Sequence, residues 1–540
     1  MYANRIVFNV FSKRGLIQWH TICIIKNKTL QDKSNIMSNI YDINTLSEIM
    51  EKRRNAGDSI VLCHGVFDLL HIGHIRYLRQ AKQFGNCLVV TLTPDKYVDK
   101  GPNRPAFTEQ LRAEALDSLE LVDYVAINEW PTAENTLRKL KPTFYAKGSE
   151  FKDIENDPTG KIKLEAAAAK EVGTELVFTE DIVFSSSNLI NRYLNVYPQE
   201  LANYLEIIRK RHSPENICNY VDQMKDLKVL VIGDAIIDEY AYCNPLGISS
   251  KDPTVALRHA AKDSFAGGAV AVARHVANLA KEVTLFTTLG KSDPYNSVIF
   301  DSIPENVLYL YEEIPDAPTV RKLRYVDGYS FNKLLEIYHI SDQSIPVETE
   351  QRINLQIIKI IGDYDLILVP DFGHDGIPNC LVTTLCRDAK YLAINTQANA
   401  GNRGYHTIFR YPRADFVSLA EHEIRMAYRD QKTKVPQMMQ NLARKLDIET
   451  LIVSRGRNGS SLQKGQDFIQ TPALAGRVVD RVGAGDALFA ISSMAAYLDC
   501  PLELIGLLGN VAGAALVEHV GNEYSIDSQQ IKKTITAMMK

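Results

Sequence analysis

At 540 residues the chain exceeds one ordinary core, so two domains are expected. A net charge of −4, with 45% hydrophobic and 23% charged residues, describes a globular protein and argues against a general nucleic-acid binder. No apolar run reaches the roughly 18 residues of a membrane helix, and eight scattered cysteines without a C-x-x-C pair indicate neither a zinc knuckle nor a disulfide framework.

In chain order, residues 1–36 carry Arg5, Lys13, Arg14, Lys26, Lys28 and Lys33 against the single acid Asp32. Lys13 and Arg14 interrupt the apolar stretch, a poor fit to a secretory signal. We read 1–36 as a non-catalytic extension; a basic membrane-surface or partner-binding arm is the other reading. Over 37–197, strands are expected at 59–65, 87–94, 122–127, 143–148 and 175–180. Helices are expected at 73–84, 108–119 and 161–172. This alternation predicts an α/β fold with a parallel, doubly wound sheet and ligands at the carboxyl ends of its strands. Residues 198–226 read as a helical linker broken at Pro214, with the boundary near 213. From 227 to 540 a second α/β domain is expected, with strands at 227–234, 283–288, 366–370, 391–395 and 450–454. Its helices are placed at 269–281, 349–361, 434–446, 484–498 and 502–519.

The stretch "CHGVFDLLHIGHIRYLRQAK" (63–82) sets His71 and His74 three apart at a strand-to-helix corner. At that spacing both imidazoles share one side of the first helical turn. Gly73 allows close approach to the backbone, and the free amides of the turn attract anions. Gly65 and Phe67-Asp68 form the preceding loop. Two imidazoles beside such an anion site suit charge developing on a phosphate. A metal centre lacks a third ligand nearby.

"GVFDLLHIGH" resembles the signature of the HxGH nucleotidyltransferases, cytidylyltransferase-like branch, over about 58–195. The resemblance implies a Rossmann-like domain in which both histidines stabilise attack of a sugar or alcohol phosphate on the α-phosphate of an NTP. It places Gly65, Phe67 and Gly73 at the nucleotide. In "DKGPNRPAFTEQLRAEAL" it assigns Lys100 and Arg112 to phosphates, and in "YAKGSEF" it sets Lys147 at the site mouth. In "FSSSNLI" it gives Ser185, Ser186 and Ser187 to the nucleotide phosphates, although such a run can equally be a helix cap.

Downstream, "VVDRVGAGDALFAISSMAAYL" puts a Gly-Ala-Gly turn before an apolar helix with Asp486 in its first turn. Gly483 and Gly485 can offer backbone N–H groups to a phosphoryl group, and Asp486 can take the proton from an attacking hydroxyl. Over roughly 227–535 the sequence resembles the ribokinase/PfkB carbohydrate kinases. "VIGDAIIDEY" then implies Asp234 and Asp238 for sugar hydroxyls, and "FAGGAVAVARHVANLA" implies Gly267 and Gly268 on the sugar side. "TVRKLRYV" (319–326) resembles the family's lid-adjacent basic segment, and "SLAEHEI" keeps Glu421, which the family uses around Mg²⁺. Ser454, Gly456 and Gly459 of "VSRGRNGSSL", with Asn510, fall where the family binds its nucleotide. Ser418, Val482 and Ala271 depart from the family's pattern and put sugar identity in doubt.

The pair of domains resembles the bifunctional sugar kinase/nucleotidyltransferases of nucleotide-heptose synthesis, with the order reversed. That implies ATP-dependent phosphorylation of a sugar or sugar phosphate, and NTP:sugar-1-phosphate nucleotidyl transfer that releases pyrophosphate. Implied cofactors are Mg²⁺, ATP for the kinase, and CTP or ATP for the transferase. Expected partners are a small-molecule sugar phosphate and an NTP, with no nucleic acid and no membrane; a homo-oligomer is allowed and the location is cytoplasmic. Two alternatives stay open: a degenerate kinase domain serving as a sugar- or nucleotide-binding regulatory module, and a polyol-phosphate cytidylyltransferase.

Overall fold

The computed structural model describes residues 39–98, 104–151, 161–179, 197–402 and 404–539. The expected extension 1–36, Lys100 and the serines Ser185, Ser186 and Ser187 lie outside them.

The apolar runs of the first half build six strands: β1 (Ile40–Tyr41), β2 (Ile60–Gly65), β3 (Cys87–Leu92), β4 (Tyr124–Ile127), β5 (Phe144–Lys147) and β6 (Glu175–Phe178). All neighbours are parallel, in the order β1-β4-β3-β2-β5-β6. Alternate residues of the central strands feed two cores. Ile60, Leu62, Cys87 and Val89 pack on one face, whereas Val61, Cys63, Leu88 and Val90 pack on the other. Burial on both faces explains why these strands read as unbroken apolar runs. The chain leaves β2 toward β3 and β4, then returns to β5 on the other side of β2. That reversal is a switch point, where a doubly wound sheet opens a crevice at its carboxyl edge.

The expected strands and helices of this half are present, with ends shifted by up to two residues. Three further elements were not expected: β1 and the helices Ile43–Asn55 and Glu134–Leu140. A two-residue strand carries no periodicity. The first helix shows its signal only in Ile43, Leu46 and Met50, capped by Asp42, whose carboxylate accepts from Asn44 N and Thr45 N.

The second half has thirteen described strands: β7 (Lys228–Ile232), β8 (Ala235–Ile248), β9 (Val255–Gly268), β10 (Glu282–Gly290), β11 (Val307–Ile314), β12 (Val320–Asp327), β13 (Lys333–His339), β14 (Leu366–Asp371), β15 (Leu392–Thr396), β16 (Phe416–Ala420), β17 (Thr450–Ser454), β18 (Ser460–Lys464) and β19 (Asp467–Thr471). Nine of them form a sheet ordered β11-β10-β7-β14-β15-β16-β17-β18-β19, parallel through β17 and antiparallel at β18 and β19. The helix Ala484–Tyr497 lies almost wholly buried in its core. The remaining four strands make a separate sheet, β13-β12-β8-β9, that strand–helix alternation did not foresee. Most residues of β9 and β13 are exposed, so those strands lack the buried run by which the others are read.

The helices Gln199–Arg211 and Pro214–Gln223 fall in the segment read as a linker. They bury Leu201, Leu205, Ile208, Ile217 and Val221 in the same core as β7 and the helix Ala484–Tyr497. The break between them is local, because Ser213 Oγ accepts from Asn216 N at 3.2 Å and Pro214 takes the first helical position. Among the described residues no helix is long and apolar enough to cross a membrane, and the seven described cysteines form no disulfide.

Candidate active sites

The first site lies at the carboxyl ends of β2 and β5. His71 caps the helix Ile72–Lys82, and its Nδ1 accepts from Gly73 N at 3.1 Å. That bond leaves the ring proton on Nε2, so His71 presents one N–H donor. Burial pulls its pKa down, which keeps the imidazole neutral at physiological pH. The His74 ring stacks on it at 4.0 Å between centroids. Two such close rings are poorly placed to be charged together.

Phe67 packs edge-on against His74 at 5.2 Å and has a left-handed backbone, φ 49°. A Cβ on Gly65 would lie 3.2 Å from the Phe67 ring, so the glycine gives that ring its seat. Gly65 and Phe67, expected at the nucleotide, therefore shape the wall beside His74.

Arg112 is engaged within the protein. Its guanidinium is buried, donating from Nε to Phe107 O (3.0 Å), from Nη1 to Val66 O, and from Nη2 to Thr93 O (2.9 Å) and Asp95 Oδ1 (2.6 Å). It ties the loops after β2 and β3 together. Lys147 is likewise not at an open mouth. It is buried, with Nζ 2.8 Å from Glu165 Oε2. Burial alone would raise the Glu165 carboxyl, but Lys147 and His64 overturn that and hold it at about 2. Tyr145 Oη and Ala133 N also donate to Glu165.

Glu165→Ala should cost about 3–5 kcal/mol in urea unfolding, because a buried ammonium loses its partner. A Lys147→Met, Glu165→Leu double variant should recover much of that loss. With a folded value near 2 against an ordinary 4.5, the stabilisation is present above about pH 4.5 and disappears as pH falls toward 2.

The second site gathers at Asp486. Gly483 precedes its helix with φ 83°, and a Cβ there would meet Asn522 Oδ1 at 2.3 Å, so only glycine fits. The Cβ position of Gly485 has nothing within 4 Å, which leaves that backbone open. Burial pushes Asp486 up to about 7; Asp238 adds to the rise and Lys322 opposes it. Asp238 accepts from Arg324 Nη1 at 2.5 Å and from Asn522 Nδ2 at 2.9 Å. Lys322 and Arg324, two apart on β12, both turn their side chains into the site. The four-stranded sheet thus supplies one wall of it.

Asp234 sits apart from that cluster of bonds. Its carboxylate accepts from the amides of Phe372 (3.0 Å), His374 (3.3 Å) and Gly376 (3.0 Å), which pins the loop after β14. Gly267 and Gly268 let β9 close on these carboxylates. A Cβ on Gly267 would come within 2.2 Å of Asp238 Oδ2, and Gly268, at φ 62°, lies against Asp234 O.

Residues 226–529, more than half of the chain, match the pfkB family of carbohydrate kinases. The chain belongs to that family. Residues 62–192 match the cytidylyltransferase-like family, so the nucleotidyltransferase domain precedes the kinase domain. Among curated proteins, the chain is 33% identical to "Bifunctional protein HldE" of Syntrophotalea carbinolica over 157 residues, 29% of this chain and 31% of that protein. It is 38% identical to the protein of the same name from Aliarcobacter butzleri over 126 residues, 23% and 26% of the two chains. The chain thus spans about a third of the length of the curated relatives it matches. Among solved structures it is similar to phosphofructokinase-2 from Escherichia coli in complex with fructose-6-phosphate, at TM-score 0.48 and 15% identity, covering 58% of this chain and 100% of that one. Ribokinase from Thermotoga maritima gives a TM-score of 0.45 at 19% identity, covering 57% and 99%.

Ser454 ends β17, and Gly456 and Gly459 bracket the turn into β18 with φ of 57° and 73°. Asn510 is spent internally: its Nδ2 donates to Ser460 Oγ (2.8 Å) and Gly506 O (2.9 Å), holding the helix Leu502–Leu516 to β18. Glu421, expected around Mg²⁺, is taken by Arg425 Nη2 (2.7 Å) and Arg455 Nε (3.1 Å), whose charges hold its pKa down against burial. Among the described residues no three or more of His, Cys, Asp and Glu are grouped to hold a metal.

Several residues of the two sites escaped sequence reasoning. His64, buried at the end of β2, contacts Thr91 Oγ1 (2.9 Å) and Thr93 Oγ1 (3.3 Å). Asp480 accepts from Tyr240 Oη (2.6 Å) and Lys333 Nζ (2.7 Å), joining the four-stranded sheet to the Gly-Ala-Gly turn. Its signal was the acid three residues before Gly483. Asn522 carried no signal in its surroundings.

Proposed function

We propose that the chain catalyses two phosphoryl-group chemistries of nucleotide-sugar synthesis, one in each domain. The observation that carries this reading is the pairing of an anion-attracting helix start with catalytic-type side chains in both: His71 and His74 in one, Asp486 behind Gly483 and Gly485 in the other. In the kinase, Asp486 takes the proton of an acceptor hydroxyl as its oxygen attacks the γ-phosphorus of ATP, and Lys322 faces the charge that develops. In the transferase, a phosphate oxygen of a sugar 1-phosphate attacks the α-phosphorus of CTP or ATP. Pyrophosphate leaves while the two imidazoles stabilise the transition state. Mg²⁺ would enter with the nucleotide phosphates, as that ion commonly does. The resemblance of the domain pair to the enzymes of nucleotide-heptose synthesis favours a heptose-like acceptor, and the enzyme would work in the cytoplasm.

The test is a screen of CTP, ATP, GTP and UTP against a panel of sugar 1-phosphates, following pyrophosphate, with sugar-dependent ADP formation measured in parallel. No turnover across both panels would remove the proposal. The regulatory reading of the kinase domain has one observation in its favour, the capture of Glu421 by two arginines. It predicts sugar or nucleotide binding without ADP formation.

The basic extension should be dispensable. No proposed catalytic residue precedes Gly65, and Ile40–Lys540 forms its own compact unit. A chain beginning at Met37 should keep both activities and its melting temperature; loss of either activity would give 1–36 a functional role.

A further inference from the structure

Arg104 and Asp68 form an ion pair at 2.8 Å, with side chains 1% and 0% exposed. The other Asp68 oxygen accepts from Ala106 N (2.6 Å) and Phe107 N (3.3 Å), so segment 104–107 is folded onto the loop before the histidines. Asp68 directly follows Phe67, the residue held at positive φ with its ring against His74. The clamp therefore bears on the orientation of the His74 ring through a single intervening residue.

A buried ion pair keeps its geometry only while water is excluded from it. Kinase-domain residues stand beside Arg104. Arg104 and Val98 line a cavity whose other walls include Ala514, Ala515, Gln530 and Met538. Tyr197, packed in the kinase-side core, also senses this guanidinium: burial raises its hydroxyl pKa and Arg104 pulls it back. The same helix that carries Ala514 and Ala515 touches the kinase's own glycine turn, since a Cβ on Gly513 would lie 3.3 Å from Ala484 O.

We infer that Arg104 is a positioning residue through which the kinase domain steadies the nucleotidyltransferase loop of Asp68, Phe67 and His74. The inference rests on the transferase reading of the His71–His74 corner. It makes transferase efficiency dependent on the wall of another domain, although every proposed catalytic group of that reaction is local.

The test uses the full chain. Arg104→Met should lower the transferase kcat by about 10²-fold, the cost of a misplacement near 1 Å. The KM for NTP and the kinase rate should stay near their parent values. Arg104→Lys should restore part of the lost kcat by keeping the charge beside Asp68. From the other domain, Gln530→Glu adds a second carboxylate to the cavity wall that already carries Glu518, and should lower the transferase kcat several-fold with the kinase intact. Gln530→Leu should leave both rates unchanged. Hydrogen exchange of the amides over 66–74 gives a readout independent of activity and should quicken in Gln530→Glu. Unchanged kcat and unchanged exchange in that variant would overturn the inference. A parent chain that releases no pyrophosphate, yet shows the exchange response, would sink the transferase reading and leave the coupling standing.

Discussion

Asp486→Asn should lower sugar-dependent ADP formation by about 10²–10⁴-fold, the usual contribution of a positioned general base. The nucleotidyltransferase rate should not change, because the charged groups that act on Asp486, namely Asp238, Lys322 and Glu423, belong to the kinase domain. Burial and the neighbouring Asp238 raise this carboxyl to about 7, so the parent kinase should lose rate as pH falls through 7, where the base becomes protonated. The sign for stability is opposite to that of a salt-bridged acid. A folded value above the ordinary 3.8 means that ionisation is disfavoured in the native state, so stability declines as pH rises from about 3.8 to about 7. The asparagine variant lacks that burden. Its melting temperature relative to the parent should rise between about pH 4 and about pH 7 and level off above that. A variant with normal ADP formation would exclude Asp486 as the base, and a flat pH profile across 7 would exclude the shifted carboxyl.

His74→Ala should cost the transferase about 10²–10³ in rate, the loss seen when one preorganised donor to a transition-state oxygen is removed. His71 would remain capped on Gly73 N, so the helix start should survive. Kinase activity should be untouched, since His74 lies in the first sheet's crevice and does not line the cavity between the domains. The decisive experiment assays Asp486→Asn and His74→Ala in both reactions. Each variant should fail in one reaction alone, with circular dichroism unchanged. Loss of kinase activity in a folded His74→Ala protein would show that the two chemistries are not independent at their catalytic groups.

Both sites were legible as short contiguous stretches. His71, Gly73 and His74 lie within one helical turn, as do Gly483, Gly485 and Asp486. Within one turn, spacing alone dictates which amides and side chains share a face. The central strands were legible for a related reason: burial on both faces demands uninterrupted apolar residues. The four-stranded sheet was not, because its exposed strands carry no such demand.

Local chemistry was enough to propose phosphate handling at two helix starts on two α/β sheets. It did not contain the destination of long side chains. Arg112 and Lys147 are basic residues near a phosphate corner, yet one is absorbed by backbone carbonyls and the other by Glu165. Nor did it contain pairs remote in sequence, such as Asp238 with Asn522, 284 residues apart. The titration of Asp486 belongs to the same class. An aspartate in a Gly-rich turn is ordinary until packing strips its water and brings Asp238 near, and desolvation of that kind depends on the whole surroundings of an atom, not on its neighbours along the chain.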